Sequence, residues 1–303
     1  YKRVMQAVNE TKGKIITLSV IAFIILVGIL SVGLLTDYIW MDSEGFRSVF
    51  TTVLSSKVLL AAIGFVVFLV LSLSTLFWIR SSYISYLDKE RLPQVILNKK
   101  TSSAIIFGTS LLIGLFGSSL VQGIGWEPLL KFLNQASFGI SDPYFEMDIS
   151  FYMYTLPILK IALNFLLGLA IFFFLIEAGF YSVFGMYRKS KKAQIHMGVT
   201  LGFVGLLLAG LHLLAPYETL LTNQVNIFQE SAVYGLSYTD HLINIPKSYI
   251  LAAVAVIGMI WMIIAMNRGK ILSMAIPIVV YLLLIVIGQI SSVIVQSFIV
   301  SPN

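Results

Sequence analysis

The chain has no cysteine and very little charge. Of its 303 residues only 11% are charged and none is cysteine. The absence of cysteine excludes disulfide bonds, thiolate catalysis and zinc sites with cysteine ligands, although it points to no particular compartment. The low charge excludes an ordinary soluble domain, in which roughly a quarter of the residues are charged.

Apolar residues are abundant instead. They make up 58% of the chain, and the mean hydropathy is +0.93. This composition indicates an integral membrane protein, and transmembrane segments of this length must be α-helical so that every backbone amide is hydrogen-bonded in lipid. We therefore predict an all-α, polytopic membrane protein.

Charge-free apolar runs give the number of spans. The run between Lys14 and Asp37 holds 22 residues and so does the run between Lys57 and Arg80, which is enough to cross a hydrocarbon core of about 30 Å. Extending the same criterion along the chain predicts seven transmembrane helices. Their approximate bounds are 15–37, 57–79, 103–123, 152–180, 196–216, 248–267 and 272–298.

Basic residues give the orientation. Fifteen of the twenty lysines and arginines fall in the amino-terminal segment or in the second, fourth and sixth loops. Since positive residues concentrate on the cytoplasmic side, the amino terminus is predicted to be cytoplasmic and the carboxyl terminus to be outside. The net charge of +6 then reflects contact with anionic lipid, and we expect no nucleic-acid binding.

This topology divides the chain into segments. Residues 1–14 form a basic cytoplasmic segment, 15–298 form the membrane domain, and 299–303 are expected to begin an extracytoplasmic part that is missing here. The outer loops, 38–56, 124–151 and 217–247, are long and aromatic. In the second of them Leu129, Phe132 and Leu133 predict a short amphipathic helix at the membrane surface.

Acidic residues concentrate in the outer loops. Asp142, Glu146, Asp148 and Asp240 are hard oxygen ligands on one side of the membrane, as a divalent cation site requires. Their spacing matches no known cation-binding loop. The alternative is that acids simply occupy loops from which basic residues are excluded.

Polar residues also fall within the predicted spans. Lys160 lies about nine residues into the fourth span, deep enough that a partner or a function is expected. Similar depths suggest one outward-facing polar pocket, formed by Lys160, Asn164, His212, Gln289, Ser292 and Gln122. The alternative is that these side chains hydrogen-bond between helices.

Two further features of the spans allow more than one interpretation. Glu177 lies near the inner end of the fourth span, where it either faces the basic residues Arg188 and Lys191 or carries a proton. Glycines in the fifth span at Gly198, Gly202 and Gly205 predict close helix packing.

Four stretches resemble a known family. They are YIWMDSEGFRSVF, LLKFLNQASFGISDPYFEMDISFYMYTLP, YGLSYTDHLINIP and VIVQSFIVSPN. Together they are similar to the large bacterial membrane proteins grouped as uncharacterised protein family 0182. The resemblance implies a seven-helix amino-terminal domain in the plasma membrane, followed by a large extracytoplasmic domain.

The resemblance transfers no catalytic residue, because no activity is established for that family. It implies that Asp142, Asp148, Pro157, Thr239 and Asp240 belong to family motifs. We expect a non-enzymatic domain without a cofactor. Its expected partners are membrane lipids and its own extracytoplasmic part, which the domain anchors and positions. The alternative is a transporter or lipid-handling protein with a polar pocket around Lys160.

Overall fold

The structure, a computed structural model, describes residues 2–87, 98–221, 223–226 and 229–300. Predictions made for Lys89, Arg91 and residues 301–303 lie outside the described residues. The chain forms two compact units, Tyr1–Leu59 and Leu60–Asn303.

The first unit contains helix α1, Lys2–Ser43, and the beginning of helix α2, Arg47–Tyr86. Only three residues separate these helices, and Gly45 makes the turn with a φ of 81°, a conformation that favours glycine. The predicted outer loop 38–56 is therefore wrong as a loop, because both helices continue beyond their apolar runs. The rings of Tyr38 and Phe50 lie 5.5 Å apart across the turn.

The second unit contains the rest of α2 and most of the other elements. After α2 come α3, Lys99–Gln122, and α4, Glu127–Leu133. Next are α5, Leu156–Val183, α6, Met186–Lys189, and α7, Lys191–Thr219. The last two helices are α8, Ile245–Asn267, and α9, Ile271–Val295.

Six helical segments within the described part of the chain are long and apolar enough to cross a membrane. They are Arg47–Tyr86, Lys99–Gln122, Phe151–Val183, Lys191–Thr219, Asp240–Asn267 and Leu272–Val300. They contain the second to seventh predicted spans, except that the third, 103–123, extends one residue beyond Gln122, and the first, 15–37, lies within α1. The helical membrane-type architecture that composition predicts is thus present.

The predicted outer loops contain regular structure. Helix α4 confirms the short helix expected near Leu129. The loop 217–247 contains two antiparallel strands, β1, Asn223–Asn226, and β2, Gln229–Tyr234, so the all-α prediction missed one hairpin. Short polar strands of this kind leave no trace in a hydropathy profile.

Two of the membrane-type helices begin in the same unusual way. A π-helical turn, Phe151–Thr155, leads into α5, and another, Asp240–Asn244, leads into α8. In both cases a proline, Pro157 or Pro246, lies in the first turn of the α-helix, where its missing N–H costs nothing. The two segments that precede α5 and α8 therefore end alike.

Close helix packing is confirmed at one of the three predicted glycines. A Cβ atom added to Gly205 would lie 2.7 Å from Cβ of Met259 on α8, whereas one added to Gly202 would meet nothing within 4 Å. At Gly198 the nearest atom, in Ile263, would be 3.6 Å away, which is an ordinary contact. Among these three glycines, Gly205 is the one at which α7 and α8 approach most closely.

Candidate functional site

Asp142 organises the first part of the outer segment before α5. Its carboxylate accepts hydrogen bonds from the amides of Tyr144 at 2.9 Å, Phe145 at 2.7 Å and Met147 at 2.9 Å, and from the Tyr152 hydroxyl at 2.6 Å. Burial alone would raise the pKa of Asp142, but these hydrogen bonds outweigh it and lower the pKa below its usual value. The carboxylate therefore fixes the turn.

Asp148 has the same role for the chain on either side of it. It accepts hydrogen bonds from Ser137 Oγ at 2.5 Å, and from the amides of Phe138, Gly139 and Ser150 at 3.2, 3.0 and 2.8 Å. The hydrogen bonds from Ser137 and then from Ser150 hold the pKa of Asp148 well below its usual range. Two aspartates thus fold residues 137–152, which we call the outer segment.

The other two predicted cation ligands are placed differently. Asp240 accepts from Ser237 and Asn244, and Glu146 adopts a positive φ of 57° in the turn fixed by Asp142. Within the described ranges, no three histidine, aspartate or glutamate side chains form a group that could hold a metal ion. The structure therefore does not bring the four carboxylates together, because Asp142 and Asp148 direct their oxygens to backbone amides.

The outer segment also contacts the segment before α8. The Tyr144 hydroxyl lies 2.7 Å from Nδ1 of His241, and the ring of Phe145 lies 4.7 Å from that of Tyr217 at the end of α7. Sequence alone gave no indication of these pairs, which join residues up to 97 positions apart.

Lys160 has an acidic partner. Its ammonium forms an ion pair with Glu218, with the two side chains 49% and 29% exposed. Asn164, one turn further along α5, donates to the backbone carbonyl of Lys160. Glu218 is therefore the partner that a lysine with a structural role in an apolar helix requires.

The remaining polar residues of the predicted pocket have separate environments. His212 Nε2 lies 2.5 Å from the hydroxyl of Tyr281, which links α7 to α9. Gln289 and Gln122 are exposed, and Ser292 is half-buried. His212 thus hydrogen-bonds between helices, as the alternative interpretation expects.

A second polar group, which the sequence only partly revealed, is buried between α5 and α7. The Glu177 side chain is 1% exposed, with Oε1 3.2 Å from Nε2 of His196 and 2.8 Å from Oγ1 of Thr200. On the other side of the imidazole, Nδ1 lies 2.9 Å from the hydroxyl of the fully buried Tyr181. We call Glu177, His196, Thr200 and Tyr181 the Glu177 cluster.

Helix α2 completes the surroundings of this cluster. The indole of Trp78 stacks on the His196 ring at 4.8 Å with an interplanar angle of 3°, and Ser82 Oγ lies 3.4 Å from the Tyr181 hydroxyl. The partners of Glu177 are therefore helical side chains rather than the basic residues Arg188 and Lys191. Nothing in the sequence singled out His196, since its partner lies 19 positions earlier on another helix.

A cavity of about 230 Å³ adjoins the Glu177 cluster. It lies between α2, α5 and α7, and most of its wall is apolar. The apolar lining side chains are Leu71, Leu166, Leu169, Ala170, Phe173, Val199 and Phe203. Its polar lining comprises Glu177, His196 and Thr200 of the cluster together with Ser74, Thr75 and Trp78 of α2, so the cavity combines a hydrophobic wall with a buried carboxylate. This arrangement is typical of ligand sites.

The four stretches singled out in the sequence lie at the turn between α1 and α2, across α4 and the outer segment, before and at the start of α8 and, as far as residue 300, at the end of α9. Comparison with known proteins agrees, since residues 14–303 match the profile of the uncharacterised protein family UPF0182. The chain belongs to this family. No solved structure matches the chain.

Relatives within UPF0182 are much longer than this chain. A UPF0182 protein of Micrococcus luteus is 30% identical over 306 residues, covering 95% of this chain but 28% of the relative. A UPF0182 protein of Rhodococcus opacus is 29% identical and one of Alkaliphilus metalliredigens 27%, and the chain covers 29% and 30% of them. The chain therefore spans less than a third of the length of these relatives.

Proposed function

We propose that these residues form the seven-helix membrane domain of a larger protein of the bacterial plasma membrane, and that this domain anchors and positions an extracytoplasmic part. The observation that carries the proposal is the outer segment, which two aspartates fold into a defined surface beside apolar helices. A loop that served only to connect two spans would need no such network.

Three features support the topology. Six described helices are long and apolar enough to cross a membrane, and α1 contains the remaining apolar run, 15–37. The basic residues segregate to the amino-terminal segment and to the second, fourth and sixth predicted loops, which supports an outer segment outside the cell and an amino terminus in the cytoplasm. The greater length of the UPF0182 relatives is consistent with a large additional part.

Cysteine labelling tests the topology directly, because the chain contains no cysteine of its own. Glu127→Cys near α4 should react with a membrane-impermeant maleimide in intact cells. Lys191→Cys at the start of α7 should react only after the membrane is permeabilised. Labelling with the opposite pattern would refute the orientation, and labelling of both positions in intact cells would refute the number of spans.

Photo-crosslinking in the full-length protein tests the positioning role. A photoreactive residue at the exposed position of Ser141 should crosslink to the extracytoplasmic part, whereas one at Lys191 should not. Asp148→Asn removes the charge that holds the outer segment and should reduce the yield from position 141. An absence of crosslinks from position 141 would contradict a docking surface here.

A further inference from the structure

The cavity beside the Glu177 cluster is open at one side. Of the side chains that line it, Leu71, Val199 and Phe203 are exposed, while Phe173 and Leu169 are buried. The exposed residues therefore form an apolar rim, and the buried residues lead inward from it. In a membrane such a rim faces hydrocarbon chains, so a molecule entering the cavity would come from the lipid phase rather than from water.

At Glu177 the wall of the cavity has more acceptor positions than the carboxylate's neighbours have donors. A carboxylate offers about four lone-pair positions, and the neighbours of Glu177 contribute at most two protons. One comes from His196 Nε2 and one from Thr200 Oγ1, which lies 2.8 Å from Oε1 and 3.0 Å from Oε2. Thr200 Oγ1 is also 3.3 Å from the carbonyl of His196, so its proton is shared. The buried carboxylate is thus left with acceptor capacity next to an empty apolar space.

The cluster is rigid enough to bind a ligand in one orientation. When His196 donates to Glu177, its Nδ1 accepts from the Tyr181 hydroxyl, and both ring nitrogens are then satisfied. Trp78 covers one face of the imidazole, and its own Nε1 donates to the carbonyl of Lys192 at 3.2 Å. The carboxylate is therefore held by two side chains of α7 before any ligand arrives, and one of them, His196, is itself held by α2 and α5.

We propose that this cavity binds a single-chain membrane amphiphile whose head group is a hydroxyl. The hydrocarbon chain would lie against Leu166, Phe173 and Phe203, and the hydroxyl would donate a hydrogen bond to Glu177. The proposal goes beyond the anchoring function and does not depend on it, since the site lies on the opposite end of α5 from the outer segment.

The chemistry of the site disfavours two other head groups. A fatty acid would bring a second carboxylate against Glu177, and like charges in an apolar site repel strongly, so the acid could bind only with the uptake of a proton. An ester lacks a proton to donate and would leave the carboxylate unsatisfied. The volume of about 230 Å³ is below the roughly 300–1,000 Å³ of sites for drug-sized molecules, so a narrow alkyl chain fits better than a ring system.

Photoaffinity labelling of the protein in mild detergent tests this site. The probe is a long-chain primary alcohol with a diazirine within its chain, and the matched probe is the fatty acid methyl ester of the same length. Labelled peptides are identified by mass spectrometry. The alcohol should label peptides of α5 and α7 at the cavity, with saturation, and an excess of unlabelled alcohol should compete at least five-fold better than the unlabelled ester.

Two alanines of α5 provide matched variants. Ala170→Leu fills the cavity without touching the Glu177 cluster and should abolish saturable labelling, whereas Ala162→Leu lies at an exposed position outside the cavity and should leave it unchanged. Glu177→Gln keeps a neutral acceptor and should weaken binding of the alcohol by about five-fold, because hydrogen bonds to charged groups are stronger.

Each outcome is decisive for the proposal. Equal competition by the alcohol and the ester would show simple partitioning into apolar surface and would overturn it. Labelling of the Ala170→Leu variant at the parental level would overturn it as well. The thermal unfolding midpoints of both leucine variants show whether a loss of labelling comes from misfolding. If Ala170→Leu is misfolded, Ala170→Ile replaces it, and parental labelling of that variant would likewise overturn the proposal. Because no extracytoplasmic part takes part in this experiment, its result is independent of the anchoring function.

Discussion

The contact between α7 and α8 at Gly205 gives a prediction whose size follows from the structure. A Cβ at Gly205 would lie 2.7 Å from Cβ of Met259, about 0.7 Å short of the 3.4 Å at which ordinary contact begins. The methyl end of the methionine can change rotamer, but its Cβ is fixed to the backbone of α8. The Gly205→Ala substitution therefore forces the two helices apart.

Two opposing effects determine how Gly205→Ala changes the free energy of unfolding. Replacing glycine by alanine within a helix stabilises it by roughly 1 kcal/mol, whereas inserting a carbon into a tight contact costs about 1–3 kcal/mol. At Gly202, three residues earlier on the same helix, only the first effect applies because its Cβ would meet nothing. We expect Gly202→Ala to be neutral or stabilising and Gly205→Ala to be less stable than it by about 1–3 kcal/mol.

The assay is unfolding of both variants in mixed micelles, followed by circular dichroism under identical conditions. The difference between the two alanine variants removes the contribution of helix propensity, which they share. If Gly205→Ala were as stable as Gly202→Ala, the close approach of α7 and α8 would be refuted, and with it the geometry of the second unit.

Three more predictions can be tested in the same way. Lys160→Met and Glu218→Gln should show a coupling of about 1 kcal/mol in a double-mutant cycle, since the pair is partly exposed, and zero coupling would refute a structural ion pair. Asp148→Asn should lower the unfolding midpoint at pH 7. That difference should shrink as the pH falls below about 4, because a carboxylate with a lowered pKa stabilises the fold only while ionised; a constant difference would contradict this. Tyr181→Phe should cost about 1–2 kcal/mol by removing a buried hydrogen bond, whereas the exposed Tyr249→Phe should cost nothing measurable. Equal effects would count against the Glu177 cluster.

The long apolar helices could be predicted because each depends on a local property. A charge-free run of about twenty apolar residues must be helical in lipid whatever surrounds it. The ends of the helices could not be predicted in this way, as the region 38–56 shows. Residues 38–43 and 47–56 are polar enough to read as a loop, but the helices continue until Gly45 turns the chain.

The candidate site depended on contacts that are distant in sequence. The sequence identified Asp142 and Asp148 as outer acids, but their donors include Tyr152 and Ser137, ten and eleven residues away. The Glu177 cluster was harder still, because Glu177 and His196 lie on α5 and α7, with the short basic helix α6 between them. The sequence suggested the nearby Arg188 and Lys191 as partners of Glu177. Only the packing of α5 against α7 shows that the partner is the imidazole of His196.

The short turn at Gly45 has a consequence for how the protein is made. With only three residues between α1 and α2, the two helices have no connecting loop that could be carried across the membrane on its own. If both helices cross the membrane, the hydrophilic stretch between their apolar runs is translocated as two helix ends joined by a three-residue turn rather than as an extended loop. Lengthening the turn with a flexible insert should therefore change the efficiency of insertion while leaving both helices chemically unaltered.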